Sequence, residues 1–304
     1  MQEKMAKQAS LQLEEQTLFK GERKFILVGL LGLALAVLLR VLILWKGAVV
    51  LPEGDLESAF SFNAALGIFV LSIGAVLPLS GMREAGKRRF RVLFLSGALY
   101  AYLIETIQHL RGINPRFSQA GSTVDSIFGL LFGIDSMLLI LATILVAVPF
   151  FRRRPAGDRT LLVIGIRYAF VSTMLAFVAG IAMIALQSRF TGSSGNFMVL
   201  HGLGFHALQT VPLLGWLLEF DGAQSRRARR LLHTGGIAWN LGVVLVGIQT
   251  FLGFTVFEPS PLPLLAALLL LVWAAAAVTA FLLWRSRPVR REREGGAAPA
   301  EGRA

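Results

Sequence analysis

Apolar stretches of about twenty residues recur from end to end of this chain, and as helices they are long enough to span the roughly 30 Å hydrocarbon core of a bilayer. An open strand or loop in lipid would leave backbone N–H and C=O groups unpaired, so such stretches are expected to be helical. Eight can be read, near residues 25–46, 57–80, 91–110, 124–150, 161–187, 197–219, 232–257 and 262–285. The expected fold class is all-α, a polytopic transmembrane helix bundle of about eight spans. The first run follows about twenty mostly polar residues and exceeds the length of a signal-peptide core, so it reads as a retained signal anchor. The seventh and eighth are separated by the turn Glu258-Pro259-Ser260-Pro261, where proline lacks a backbone N–H and disfavours helix in the residue before it.

Charge gives an independent reading of topology, because cytoplasmic loops retain Lys and Arg while translocated loops are poor in them. The amino-terminal segment carries Lys4, Lys7, Lys20, Arg23 and Lys24, and the second loop carries Arg83, Lys87, Arg88 and Arg89. The fourth has Arg152, Arg153, Arg154 and Arg159, the sixth Arg226, Arg227, Arg229 and Arg230, and the tail begins with Arg285, Arg287 and Arg290. The odd loops hold Lys46, then Arg111 and Arg116, then Arg189, then none. Eight spans put every basic segment on one side, with the amino and carboxyl termini cytoplasmic, as in a multi-pass protein of the bacterial cytoplasmic (inner) membrane. The net charge of +12 then follows from insertion. Nucleic acid is excluded as a partner, since its recognition needs basic residues gathered on a folded face among reading groups. With no cysteine, disulfides, thiolate metal sites and cysteine nucleophiles are excluded too.

The expected layout is a polar segment 1–24 with a weak amphipathic stripe of Leu11, Leu13 and Leu18, a helical bundle 25–286 and a disordered tail 287–304. Gly and Ala recur through most spans, as close helix packing in lipid requires.

Polar side chains inside hydrocarbon are costly and so mark candidate chemistry. Arg40, Asn63, Glu105, Gln108, His109, Gln187, His206, Gln209 and Gln249 fall in the outer halves of their spans, with Asp125 and His201 near span ends. Their common depth predicts one polar pocket open to the extracytoplasmic side, lined by His109, His206, His201, Glu105, Gln108 and Gln209, and able to take a small-molecule ligand. Glu105 and His109 are four apart on one helical face, an arrangement in which a carboxylate orients an imidazole for metal or haem ligation or for proton relay; a capping or interface pair is the alternative. His201 and His206 are five apart and do not share a face, which excludes a two-histidine helical clamp. His206 shares a face with Gly202, Gln209 and Thr210 and is either a ligand or a buried histidine bonded to a neighbouring helix; His201 is expected to be solvent-exposed in the outer mouth.

Asp135 and Arg167, deep in successive helices, are expected to form an intramembrane ion pair. Arg40 either pairs with Glu105 or snorkels outward. Ser122-Thr-Val-Asp125 reads as a capping box. The loops at 114–122 and 188–195 resemble each other, as a duplicated helix pair would make them, although so short a match also arises by chance.

The stretches Glu105-Thr-Ile-Gln-His-Leu-Arg-Gly-Ile-Asn-Pro-Arg-Phe-Ser118 and His201-Gly-Leu-Gly-Phe-His-Ala-Leu-Gln209 resemble motifs of a family of uncharacterised bacterial polytopic membrane proteins. Members carry histidine and asparagine where Arg116 and Ser118 stand here, which weakens a ligand role for the outer loop. The resemblance implies membrane location and draws attention to the sixth span; it implies no substrate. Three readings stay open: binding of haem or a divalent metal, with His109 and His206 as ligands; small-solute or proton-coupled transport; and a non-catalytic subunit or assembly factor. No Walker A loop, dinucleotide fingerprint, zinc-protease helix or nucleophile elbow is present, so any activity resides in the bundle.

Overall fold

A computed structural model describes residues 18–116, 118–152, 159–220 and 225–286. Within them lie α1 (Arg23–Lys46), α2 (Leu56–Val76), α3 (Glu84–Leu110), α4 (Thr123–Arg152), α5 (Thr160–Leu186), α6 (Phe197–Glu219), α7 (Arg226–Phe251) and α8 (Pro261–Arg285). All eight are long and apolar enough to cross a membrane. Leucines such as Leu44, Leu130 and Leu271 are more than 60% exposed, a surface suited to lipid and not to water. The chain is a multi-pass membrane protein.

The helices match the apolar runs within a few residues, except the third and seventh. These begin at Glu84 and Arg226, a turn or more before the apolar run, because Lys and Arg are good helix formers and carry the helix past the hydrocarbon edge. The seventh stops at Phe251, where Gly253 turns left-handed at φ 85°. Pro261 starts α8 as its first residue, the helical position where a missing N–H costs nothing. Leu11, Leu13 and the tail 287–304 lie outside the described residues.

With no water to exclude between helices, packing itself holds them together. The backbones of α5 and α6 come close enough that a Cβ on Gly204 would stand 2.9 Å from the Ser172 carbonyl, and one on Gly165 would stand 2.8 Å from that of Val211. Aromatic rings fill the interior. Phe25, Phe90 and Phe94 lie 5.2 to 6.0 Å apart between α1 and α3, and Phe69 of α2 meets Phe205 of α6 edge-on at 4.8 Å.

At one end of the bundle two small antiparallel hairpins join helices: β1 (Val49–Val50) with β2 (Gly54–Asp55) between α1 and α2, and β3 (Phe190–Thr191) with β4 (Gly195–Asn196) between α5 and α6. Val49 faces Asp55 and Phe190 faces Asn196, each residue 141 positions from its counterpart. The same offset recurs across the surrounding hydrogen bonds. The Leu56 N–H donates to the Ala48 carbonyl and that of Phe197 to Arg189; the Glu53 N–H donates to Gly112 and that of Ser194 to Gly253; the Ile113 N–H donates to Gln108 and that of Phe254 to Gln249. Asp55 and Asn196 both cap the following helix by accepting the N–H two residues on. Gly112 and Gly253 both turn at positive φ, 79° and 85°. α1–α3 and α5–α7 therefore repeat one backbone arrangement, each followed by one further span, and the even number of helices from one copy to the next makes the two units run in the same direction. The loop match read from sequence is thereby corrected: segment 188–196 corresponds to 47–55, and the turn after α3 corresponds to the turn after α7.

The end bearing the hairpins is called below the hairpin end. The opposite end, where the Lys- and Arg-rich segments lie, is the basic end.

Candidate functional site

The first hairpin folds over the end of α3 and delivers a backbone donor to it. The Asp55 N–H points at His109 Nδ1 at 3.0 Å. That nitrogen accepts, so the imidazole proton sits on Nε2. Nε2 faces Glu105 Oε1, one turn back on α3, at 3.4 Å. The other carboxylate oxygen of Glu105 is held at 2.7 Å by Arg116, which reaches inward from the α3–α4 loop. The Glu105 side chain is 0% exposed, His109 2% and Arg116 32%. The Arg116 guanidinium lies 5.1 Å from the ring centre of Phe62 and 5.5 Å from that of Phe132, so α2 and α4 clasp it as α3 neutralises it. Glu105 Oε1, His109 Nε2, Asn63 Oδ1 and the Tyr102 hydroxyl, all on α2 and α3, are buried without a hydrogen bond among the described residues.

Beside this trio lies a clamp that ties α3, α4 and the first hairpin together. Asp125 accepts from Gln108, Arg111 and the Ser122 hydroxyl and amide, so it ties α3 to the start of α4. The capping reading of Ser122 and Asp125 agrees with these bonds. Glu53, in the first hairpin, accepts from the Ser118 hydroxyl and from the Gln119 and Ala120 amides. The Ser118 hydroxyl, with those amides, holds the Glu53 carboxyl below its ordinary value against a smaller opposing effect of burial. Burial is the largest influence on Asp55 and works against ionisation, but hydrogen bonds from Ser58 and the Glu57 amide together prevail and lower it.

The pocket read from sequence divides into separate places. Glu105, Gln108 and His109 are together. His206 and Gln209 lie instead at the seam between the two units: His206 Nδ1 donates to Gln209 Oε1 at 3.2 Å, and Gln209 donates to Ser72 of α2 at 2.6 Å. His206 is exposed on the bundle surface, not buried. His201 is not free in an outer mouth. It is half-buried against α5, its Nδ1 donating to the Ala176 carbonyl at 2.8 Å and its ring edge-on to Phe205. The ligation expected of His109 meets a physical obstacle, because one of its nitrogens accepts a backbone N–H and the other carries the proton. Among the described residues no group of three or more His, Asp or Glu side chains could hold a metal ion.

The expected Asp135–Arg167 ion pair is absent. Arg167 donates to the Phe150 carbonyl, and Phe150 lies fifteen residues beyond Asp135 on α4, about 22 Å along the axis. Asp135 packs against Gly97 of α3. Arg40 pairs with Glu57 at 2.6 Å and not with Glu105.

Sequence reading missed Arg116, Glu53 and Asp55. Arg116 carried a usable signal, since a buried Glu105 needs a cation from its own end of the bundle and few are available there. The backbone donor of Asp55 has none.

The second unit builds the same hairpin and turn without the trio. Val246 and Thr250 stand where Glu105 and His109 do, and Phe257 follows where Arg116 would fall. Thr250 turns its hydroxyl back onto the Val246 carbonyl. No family model, curated protein or solved structure matches the chain.

Proposed function

We propose that this is a small-solute carrier of the bacterial cytoplasmic membrane, hairpin end outward, in which Glu105, His109 and Arg116 form a proton-controlled latch on the first unit. The carrying observation is the contrast between the copies. The second unit forms the same hairpin, cap and turn with Val246 and Thr250, so the fold does not need the charges. A buried ion pair is a poor stabiliser compared with packed apolar groups, and charge inside a membrane bundle is usually retained for function. Two same-direction repeats also occur in secondary transporters, whose substrate route runs between the halves.

The latch follows from the atoms. Among the described residues no other carboxylate pairs with Arg116, so a proton on Glu105 removes the charge that draws the guanidinium inward. A proton placed on Oε1 also meets the Nε2–H of His109 head on, and His109 cannot turn acceptor there while Asp55 occupies Nδ1. Protonation thus releases Arg116 from Glu105 and parts Glu105 from His109, leaving the α3–α4 loop to the Glu53 and Asp125 bonds.

The test is flux in reconstituted vesicles loaded with a pH-sensitive dye. Under an imposed pH gradient, one member of a panel of monocarboxylates, dicarboxylates, amino acids and inorganic phosphate should speed proton movement through the native chain. Glu105→Gln should lose most of that acceleration. Equal rates for both proteins across the panel would overturn the reading.

A further inference from the structure

At the basic end, the start of α7 and the last turns of α8 enclose an open recess of about 570 Å³, lined by Arg227, Thr279, Leu282, Leu283, Arg285 and Ser286. Its guanidiniums come from two helices, and its floor is leucine.

The two units differ in how they neutralise charge here. In the first, Arg91 is paired with Glu22 and Glu84, and Lys87 with Glu84. In the second, α7 has no acidic residue in its first turn, and neither Arg227 nor Arg285 is in an ion pair among the described residues. The carboxylate of α6 at this end, Glu219, is already engaged by Arg159 and by the Leu162 amide. A concave site with two cations that no described carboxylate pairs, and with leucine on its lining, is complementary to a headgroup phosphate whose acyl chains continue along leucine. Ser286 adds selectivity. Its hydroxyl proton goes to the Leu283 carbonyl, so toward the recess it presents lone pairs, which suit a headgroup bearing hydroxyls.

We propose that the recess between α7 and α8 is a binding site for an anionic phospholipid of the adjacent leaflet, with Arg227 and Arg285 holding the phosphate and phosphatidylglycerol as the fitting headgroup. The site is independent of the latch at the opposite end.

Native mass spectrometry of the detergent-purified full chain, offered equimolar phosphatidylglycerol and phosphatidylcholine, reads the occupancy. The native chain should retain phosphatidylglycerol preferentially, and rising salt should erode the preference. Arg227→Gln with Arg285→Gln should abolish it, while Arg229→Gln with Arg230→Gln, at the start of α7 but outside the recess, should leave it largely intact. Arg227→Lys with Arg285→Lys should restore part of it. Equal retention of the two lipids by the native chain overturns the proposal, as does equal loss in both glutamine pairs, which would mark a diffuse basic surface. Displacement of the lipid by millimolar inorganic phosphate would also overturn it, by showing that a free anion suffices. If the glutamine pair fails to fold, Arg227→Gln alone should still lower the preference and Arg229→Gln alone should not; equal effects of the two single changes overturn the proposal.

Discussion

A single backbone amide decides what His109 can do. By occupying Nδ1 the Asp55 N–H leaves the ring one proton, on the side of Glu105, and so converts a candidate ligand into a fixed donor. Glu53 acts by similar means on the loop that carries Arg116, since its carboxylate gathers the Ser118 hydroxyl and the Gln119 and Ala120 amides. Because its pKa is lowered from the ordinary 4.5, the stability it lends is complete above that value and is lost as pH falls through the lower folded one. Hydrogen exchange in detergent should therefore show the Gln119 and Ala120 amides protected at neutral pH and progressively less so below the ordinary carboxylate range. Glu53→Gln should expose them at neutral pH as well. Unchanged protection in the variant would mean the clamp is held elsewhere. None of this was legible in the sequence, where Glu53 reads as one more polar loop residue and an amide donor has no letter of its own.

The helices were legible because twenty apolar residues in lipid have one stable conformation. The duplication was not. Over the paired segments the copies share few residues, among them Gly54 with Gly195, Gly74 with Gly215, Ile107-Gln108 with Ile248-Gln249, and Gly112 with Gly253. What they share is backbone geometry, for which many side chains serve, so the repeat is visible in hydrogen bonds and nearly silent in letters. The conserved geometry makes a prediction about the turns. A Cβ on Gly112 would collide with the Leu51 carbonyl, and one on Gly253 would stand 2.7 Å from the Gly192 Cα, both at positive φ. Gly112→Ala and Gly253→Ala should each destabilise by more than the roughly 1–2 kcal/mol of the left-handed conformation alone. The comparison is best made by thermal unfolding in detergent, with Gly133→Ala as a control, where nothing stands within 4 Å of the added methyl. A drop for Gly112→Ala without one for Gly253→Ala would show that the two turns are not mechanically equivalent.

At the scale of the whole molecule, the spans and the alternation of basic segments were readable in advance, whereas the meeting of particular side chains was not. His109, His201 and His206 all fall in the halves of their helices nearer the hairpin end, but that is one coordinate, and helix packing places His109 in the first unit and the other two on α6 in the second. Sidedness decides where the latch works, since the latch needs the hairpin end outside, whereas the lipid site takes its lipid from whichever leaflet adjoins the basic end. The chain itself supplies a clean test, because it contains no cysteine. Single substitutions Ser193→Cys in the second hairpin and Glu258→Cys before α8 should react with a membrane-impermeant maleimide in intact cells. Arg88→Cys and Arg230→Cys on the basic helix starts should react only after the membrane is opened. Because the units run in the same direction, the first hairpin must follow the second, so Leu51→Cys, 81% exposed, should label with Ser193→Cys. Labelling of one hairpin without the other would break the same-direction repeat, and labelling of Arg88→Cys in intact cells would invert the molecule and place the latch on the cytoplasmic side.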